Sequence, residues 1–122
     1  MADDLPAMFG DDSVLIVVDV QNDFCPGGAL AVPRGDDVVP IVNRLAAKFR
    51  HVVLTQDWHP SGHSSFASSH PGKQPFETIT ASYGPQVLWP DHCVARSARH
   101  SSCRAHRAQR HRSRDRLLLD VQ

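Results

Sequence analysis

Two short stretches of this sequence concentrate side chains that ligate metals. Asp57-Trp58-His59-Pro60-Ser61-Gly62-His63 sets one carboxylate and two imidazoles within seven residues, and Trp89-Pro90-Asp91-His92 adds a further imidazole. In an extended segment residues i and i+2 point to the same side, so Asp57 and His59 can face one ion without a helix. A third nitrogen ligand could then come from His63 or from His92. One carboxylate with imidazoles suits zinc, iron or manganese, and fewer than four protein ligands leave positions open for water or substrate. The plainer alternative is a set of surface or hydrogen-bonded loop histidines, which would account for any one of them taken singly. Asp-x-His directly after a strand, with more histidines nearby, sets a metal level with that alternative.

The elements that must position these groups are legible from hydrophobic patterning. Ser13-Val14-Leu15-Ile16-Val17-Val18 is a continuous aliphatic run that ends abruptly at Asp19-Val20-Gln21-Asn22-Asp23, as expected of a central parallel strand buried on both faces. Apolar residues then recur at Val38, Ile41, Val42, Leu45, Ala46 and Phe49, which is helical spacing. Asp36 or Asp37 can cap this helix, and Pro40 falls in its first turn, where a missing N–H costs little. A second β-branched run, His51-Val52-Val53-Leu54-Thr55, ends at Gln56 and Asp57.

A strand–helix–strand unit has parallel strands and a right-handed crossover, so Asp19 and Asp57 are expected at the same edge of the sheet. Ligands of open α/β sheets bind outside that carboxyl edge, which makes these two acids site candidates rather than solvated strand-end caps. From Trp58 to Trp89 the chain shows no helical or alternating period and reads as mostly loop. Its aromatic residues Trp58, Phe66, Phe76, Tyr83 and Trp89 argue against disorder.

A length of 122 residues with 41% hydrophobic composition fits one domain with a modest core. The longest apolar run, Val14 to Val18, is far short of a membrane helix, and the acidic N-terminus lacks the basic region of a signal peptide. The expectation is a cytoplasmic protein without membrane contact. Cys25, Cys93 and Cys103 are odd in number and irregular in spacing, as expected of reduced thiols. Zero formal net charge conceals a split. Residues 1–94 hold eleven acidic and five basic side chains, whereas 95–122 hold two acidic and eight basic ones. That Arg/His/Ser-rich tail has no apolar period and is expected to be disordered up to Leu117-Leu118-Leu119, a run too short to anchor a core element.

The motif-bearing stretches closely resemble bacterial nicotinamidases of the isochorismatase-like hydrolase superfamily. Asp19-Val20-Gln21-Asn22-Asp23-Phe24-Cys25-Pro26-Gly27-Gly28-Ala29-Leu30 is similar to the family's first signature, Thr55-Gln56-Asp57-Trp58-His59-Pro60 to its metal signature, and Trp89-Pro90-Asp91-His92-Cys93-Val94 to the segment supplying another histidine ligand. The resemblance implies a three-layer, Rossmann-like parallel sheet and a divalent metal held by Asp57, His59 and His92. His63 matches a position that ligates in some relatives and lies behind the ligands in others. It further implies that Asp19 is the general base of a Cys-Asp-Lys triad and that Phe24 and Trp89 line a pyridine pocket. The implied reaction is hydrolysis of nicotinamide, or of pyrazinamide, to the carboxylate and ammonia. A cysteine thiolate attacks, a thioester forms, and water resolves it.

By these motifs the resemblance covers Ser13 to Val94. The lysine and the nucleophilic cysteine of such a triad have no counterpart here at a matching position. Lys48 belongs to the crossover helix, Lys73 to the loop, and Cys25 and Cys93 to ordinary positions of the signatures. The chain is therefore expected to be inactive by itself. The break at Val94 is what a shifted reading frame in a GC-rich gene produces, and a frame shift accounts for it better than an Arg-rich arm made to bind nucleic acid or other polyanions. Nicotinamide or pyrazinamide is thus the expected partner rather than nucleic acid, and oligomeric state is not legible.

Overall fold

The computed structural model describes residues 9–97, together with the backbone of residues 116–121. Strand β1 (Val14–Val17) is followed by a 3-10 turn at Asn22–Phe24, a second such turn at Gly35–Asp37, helix α1 (Val38–Ala46) and strand β2 (His51–Asp57). β1 pairs with β2 in parallel, with Val14 opposite His51 and Val17 opposite Leu54. The strand–helix–strand unit therefore brings the ends of both strands, and with them Asp19 and Asp57, to one edge of the sheet.

The core lies between this sheet and α1. Val17, Val42, Ala46, Val52 and Leu54 form one buried cluster, with Leu15, Val20 and Phe49 packed against it. α1 ends at Ala46, short of Phe49, yet Phe49 still contributes by stacking on Phe9 with ring centroids 4.0 Å apart. Asp37 occupies the N-cap position but makes no side-chain cap hydrogen bond. Its carboxylate pairs instead with Arg34, because the 3-10 turn runs directly into the helix.

Three expectations need correction. β1 is not buried on both faces, since Val14, Ile16 and Val18 are 48%, 57% and 66% exposed. Within the described sheet the order is β1, β2 and then the strand at Arg116–Val121, so β2 is central and β1 is an edge. α1 covers only one face, and an aliphatic run reports that a strand suits burial, not that both faces are covered.

The tail does contribute a strand. β5 (Arg116–Val121) pairs with β2 in parallel, with Leu117, Leu118 and Leu119 opposite Val53, Leu54 and Thr55. Parallel pairing is a backbone property that six residues can satisfy beside an existing strand. The disorder expected for the rest of the tail concerns residues 98–115, which lie outside the described residues.

The long loop also contains a hairpin, β3 (Thr78–Ala81) with β4 (Gly84–Val87), paired antiparallel through Ala81 and Gly84. Thr78-Ile79-Thr80 is its only run of β-branched residues, and Pro85 masks the second strand. Among the described residues no helix is long and apolar enough to cross a membrane.

Candidate metal centre

Asp57 is the last residue of β2, and His59 follows in extended chain. His92, far along the sequence, reaches them because residues 59 and 94 form an isolated parallel bridge. The His59 N–H donates to the Cys93 carbonyl at 3.0 Å, and the Ala95 N–H donates to the His59 carbonyl at 2.7 Å. A second bridge joins Phe66 to Trp89. The two loop segments are thus tied backbone to backbone, and one ligand atom each from Asp57, His59 and His92 lies within 4.8 Å of the others.

The two imidazoles address different oxygens of one carboxylate. Nε2 of His59 is 3.0 Å from Asp57 Oδ1, and Nε2 of His92 is 3.2 Å from Asp57 Oδ2. Metal–nitrogen and metal–oxygen bonds of about 2.0–2.2 Å put neighbouring ligand atoms about 3 Å apart, so the spacing suits one ion. His92 Nδ1 lies 2.7 Å from the Pro90 carbonyl oxygen. A carbonyl only accepts, so Nδ1 carries the proton and Nε2 of the neutral ring presents a lone pair. That lone pair faces a carboxylate oxygen, an arrangement that requires a cation or a proton between them. The donor set therefore fits a divalent metal.

Burial holds the His59 imidazolium pKa below the usual histidine value; Asp57 opposes this, and His92 and His63 reinforce it. His59 Nδ1 is buried with no hydrogen-bond partner. Phe66 is fully buried and packs its ring against all three imidazoles, with centroids 5.3 Å from His59, 5.7 Å from His63 and 5.5 Å from His92.

His63 stands beside this group rather than in it. Its ring centroid is 4.7 Å from that of His59. Nδ1 accepts the Ser65 N–H at 3.3 Å and lies 2.7 Å from the Ser65 hydroxyl. His63 is not one of the three residues whose ligand atoms converge.

Asp19 follows β1 with φ 51°, in the left-handed region. Its N–H donates to Thr55 Oγ1 at 3.2 Å, and the Thr55 hydroxyl donates to Asp19 Oδ1 at 2.6 Å. Asp19 and Phe24 line a cleft of about 180 Å³ with Gln21, Val32 and Val38 among its walls. The Phe24 ring also sits 5.9 Å from that of His92, linking the cleft to the metal ligands. Trp89 is not in this cleft; it packs edge-on against Phe76 at 6.0 Å.

Cys93 is fully buried. Burial, reinforced by Asp57, Asp23 and Asp19, pushes its thiol pKa up to about 12, the opposite of what a nucleophile needs. Cys25 is disulfide-bonded, which corrects the expectation of three reduced thiols; irregular spacing in sequence does not report approach in space. Sequence reasoning missed Thr55, Phe66, Gln21 and Asp23. Only the polar positions of Gln21 and Asp23, just past an apolar strand end, hinted at a role.

The chain matches the isochorismatase domain over residues 13–119, a span that runs beyond Val94. It is 61% identical over 84 residues to a nicotinamidase of Acinetobacter baylyi, covering 69% of this chain and 39% of that protein. The structure is similar to that of an Acinetobacter baumanii nicotinamidase/pyrazinamidase, with a TM-score of 0.78 and 47% identity, covering 91% of this chain and 52% of the other. It is also similar to a Pyrococcus horikoshii pyrazinamidase in complex with zinc, with a TM-score of 0.60 and 33% identity, covering 88% and 50%. The chain spans about two-fifths of the length of the curated relatives it matches.

Proposed function

The chain belongs to the isochorismatase domain family, and from that premise we propose that it carries the metal-binding and base-bearing part of a nicotinamidase-type amidohydrolase. The substrate class is an aromatic carboxamide such as nicotinamide or pyrazinamide, cleaved by water to the carboxylate and ammonia, and the place of work is the cytoplasm. One observation carries this reading: the Asp57–His59–His92 group touches, through His92 and Phe24, the cleft that holds Asp19.

Asp57, His59 and His92 would hold one divalent ion, zinc, manganese or iron. When bound, the ion supplies a Lewis-acidic contact for the pyridine ring nitrogen. Zinc has support from the related pyrazinamidase solved with it. His92 is set for ligation by the Pro90 carbonyl, which keeps the proton on Nδ1. Phe24 offers the substrate ring an apolar face in the cleft that holds Asp19. Asp19 accepts the proton of the attacking group; Thr55 occupies its Oδ1, which leaves Oδ2 for that transfer.

Attack itself needs a thiolate that this chain does not offer among its described residues. Cys93 is buried with its pKa near 12, and Cys25 is in a disulfide. We therefore read the chain as able to bind metal and carboxamide without turning the amide over. The test pairs a binding titration of nicotinamide against the zinc-loaded chain with a coupled assay for ammonia. Zinc-dependent binding that Asp57→Asn abolishes, with ammonia release no higher than in Asp19→Ala, is the expected result. Absence of binding overturns the substrate reading, and steady ammonia release overturns the lack of turnover, since loss of a nucleophile removes many orders of magnitude.

A further inference from the structure

Gln21-Asn22-Asp23 supplies no atom to the Asp57–His59–His92 group, yet it holds both segments that do. β1 stops at Val17 opposite Leu54, while β2 runs on to Asp57. On the β1 side of Asp57 a side chain replaces the missing strand. The Asp57 N–H donates to Gln21 Oε1 at 2.7 Å, and Gln21 Nε2 donates to the Asp57 carbonyl at 3.0 Å. One amide thus grips both polar groups of Asp57's backbone and continues the β1–β2 ladder by one rung.

Asp23 does the corresponding work on the second segment. Its Oδ2 accepts the Cys93 N–H at 2.7 Å and its Oδ1 accepts the Ala29 N–H at 3.1 Å. Cys93 has φ 48°, an unfavourable conformation for a residue with a Cβ, and it directly follows His92. The bend that turns His92 toward Asp57 is therefore pinned by a carboxylate two residues from Gln21. Gln21 and Asp23 are each 1% exposed, so neither bond is diluted by water. Close approach maintains the arrangement: a Cβ on Gly28 would lie 2.3 Å from the Asp23 carbonyl oxygen.

We propose that Gln21 and Asp23 are positioning residues that set the distance between Asp57 and His92, and hence the affinity and coordination geometry of the metal. This rests on the metal reading above. Their effect runs through backbone orientation, and neither residue touches the ion.

Cobalt(II) titration of the full chain, followed by its visible absorption bands, reads ligand geometry without any need for turnover. Gln21→Met preserves volume and removes both hydrogen bonds. It is expected to weaken cobalt binding by about 10- to 100-fold, the usual effect of losing a group that orients a ligand, and to shift the bands. Gln21→Glu keeps the acceptor for the Asp57 N–H and should recover part of the affinity, and Asp23→Asn should shift the bands through His92. Gln86→Met, in the hairpin, should match the parent. If Gln21→Met fails to fold, Gln21→Glu and Asp23→Asn decide the matter. Variants that melt lower in chelator but bind cobalt with parental affinity and spectrum overturn the proposal. A parent that binds no cobalt overturns the metal reading as well, whereas a binding parent with unchanged variants overturns this inference alone.

Discussion

Nε2 of His92 lies 3.2 Å from Oδ2 of Asp57 while its Nδ1 is committed to the Pro90 carbonyl. A neutral ring so placed sets a lone pair against a carboxylate, and a bound cation turns this repulsion into attraction. The folded chain should therefore bind one zinc, manganese or iron ion by elemental analysis. At a free concentration about 100 times the dissociation constant, binding to the folded state alone adds roughly 2.7 kcal/mol. Chelator should lower the melting temperature of the parent and leave Asp57→Asn and His92→Ala unmoved. A parent that melts identically with and without chelator would exclude a working site.

Acid should destabilise the metal-free chain through His59. Its folded pKa lies below 6.5, chiefly through burial, so between the folded pKa and about 6.5 the unfolded chain binds the extra proton. This contribution to stability is present above about pH 6.5 and is lost as pH falls through the lower folded pKa. Urea unfolding in chelator from pH 8 to pH 5, compared for the parent and His59→Gln, isolates it. The parent's stability should fall more steeply below 6.5 than the variant's; equal slopes would remove His59 as the cause.

Cys93 should be inert. With its pKa near 12 almost no thiolate exists at pH 8, and the buried sulfur is out of reach of reagent. Native chain treated with iodoacetamide should show Cys93 unmodified by peptide mass mapping, and modified only after denaturation. Fast labelling in the native state would reopen its candidacy as a nucleophile.

Phe66 should matter to both stability and metal. It is fully buried beneath His59, His63 and His92, and Phe→Ala in such a site costs about 3–5 kcal/mol. Phe76, 63% exposed, should change stability by about 0.5 kcal/mol or less on the same substitution. Denaturant midpoints for the two variants test the contrast, and zinc affinity should fall with Phe66→Ala alone.

What could be read from the residues in order was whatever depends on near neighbours. The aliphatic run before Asp19, the apolar spacing from Val38 to Ala46 and the run into Asp57 are local patterns, and they were enough to put both acids at one sheet edge. Asp57 and His59 share a side because two residues of extended chain return a side chain to the same face. The third nitrogen stayed open between His63 and His92 on spacing alone, and only the resemblance favoured His92.

Tertiary structure decided the rest, because it depends on groups far apart in the chain. The pairing of residues 59 and 94 gathers His92, while Ser65 holds the His63 ring beside the group. The exposure of Val14 and Ile16 depends on which layers cover the sheet, and the pairing of β5 depends on a free edge of β2; neither is a property of those runs themselves. Gln21, Asp23 and Thr55 look like ordinary polar residues until the fold buries or aligns their side chains against the backbone of Asp57, Cys93 and Asp19. Hydrophobic periodicity records where a chain turns its apolar face, but a hydrogen bond across 36 or 70 residues leaves no trace in it.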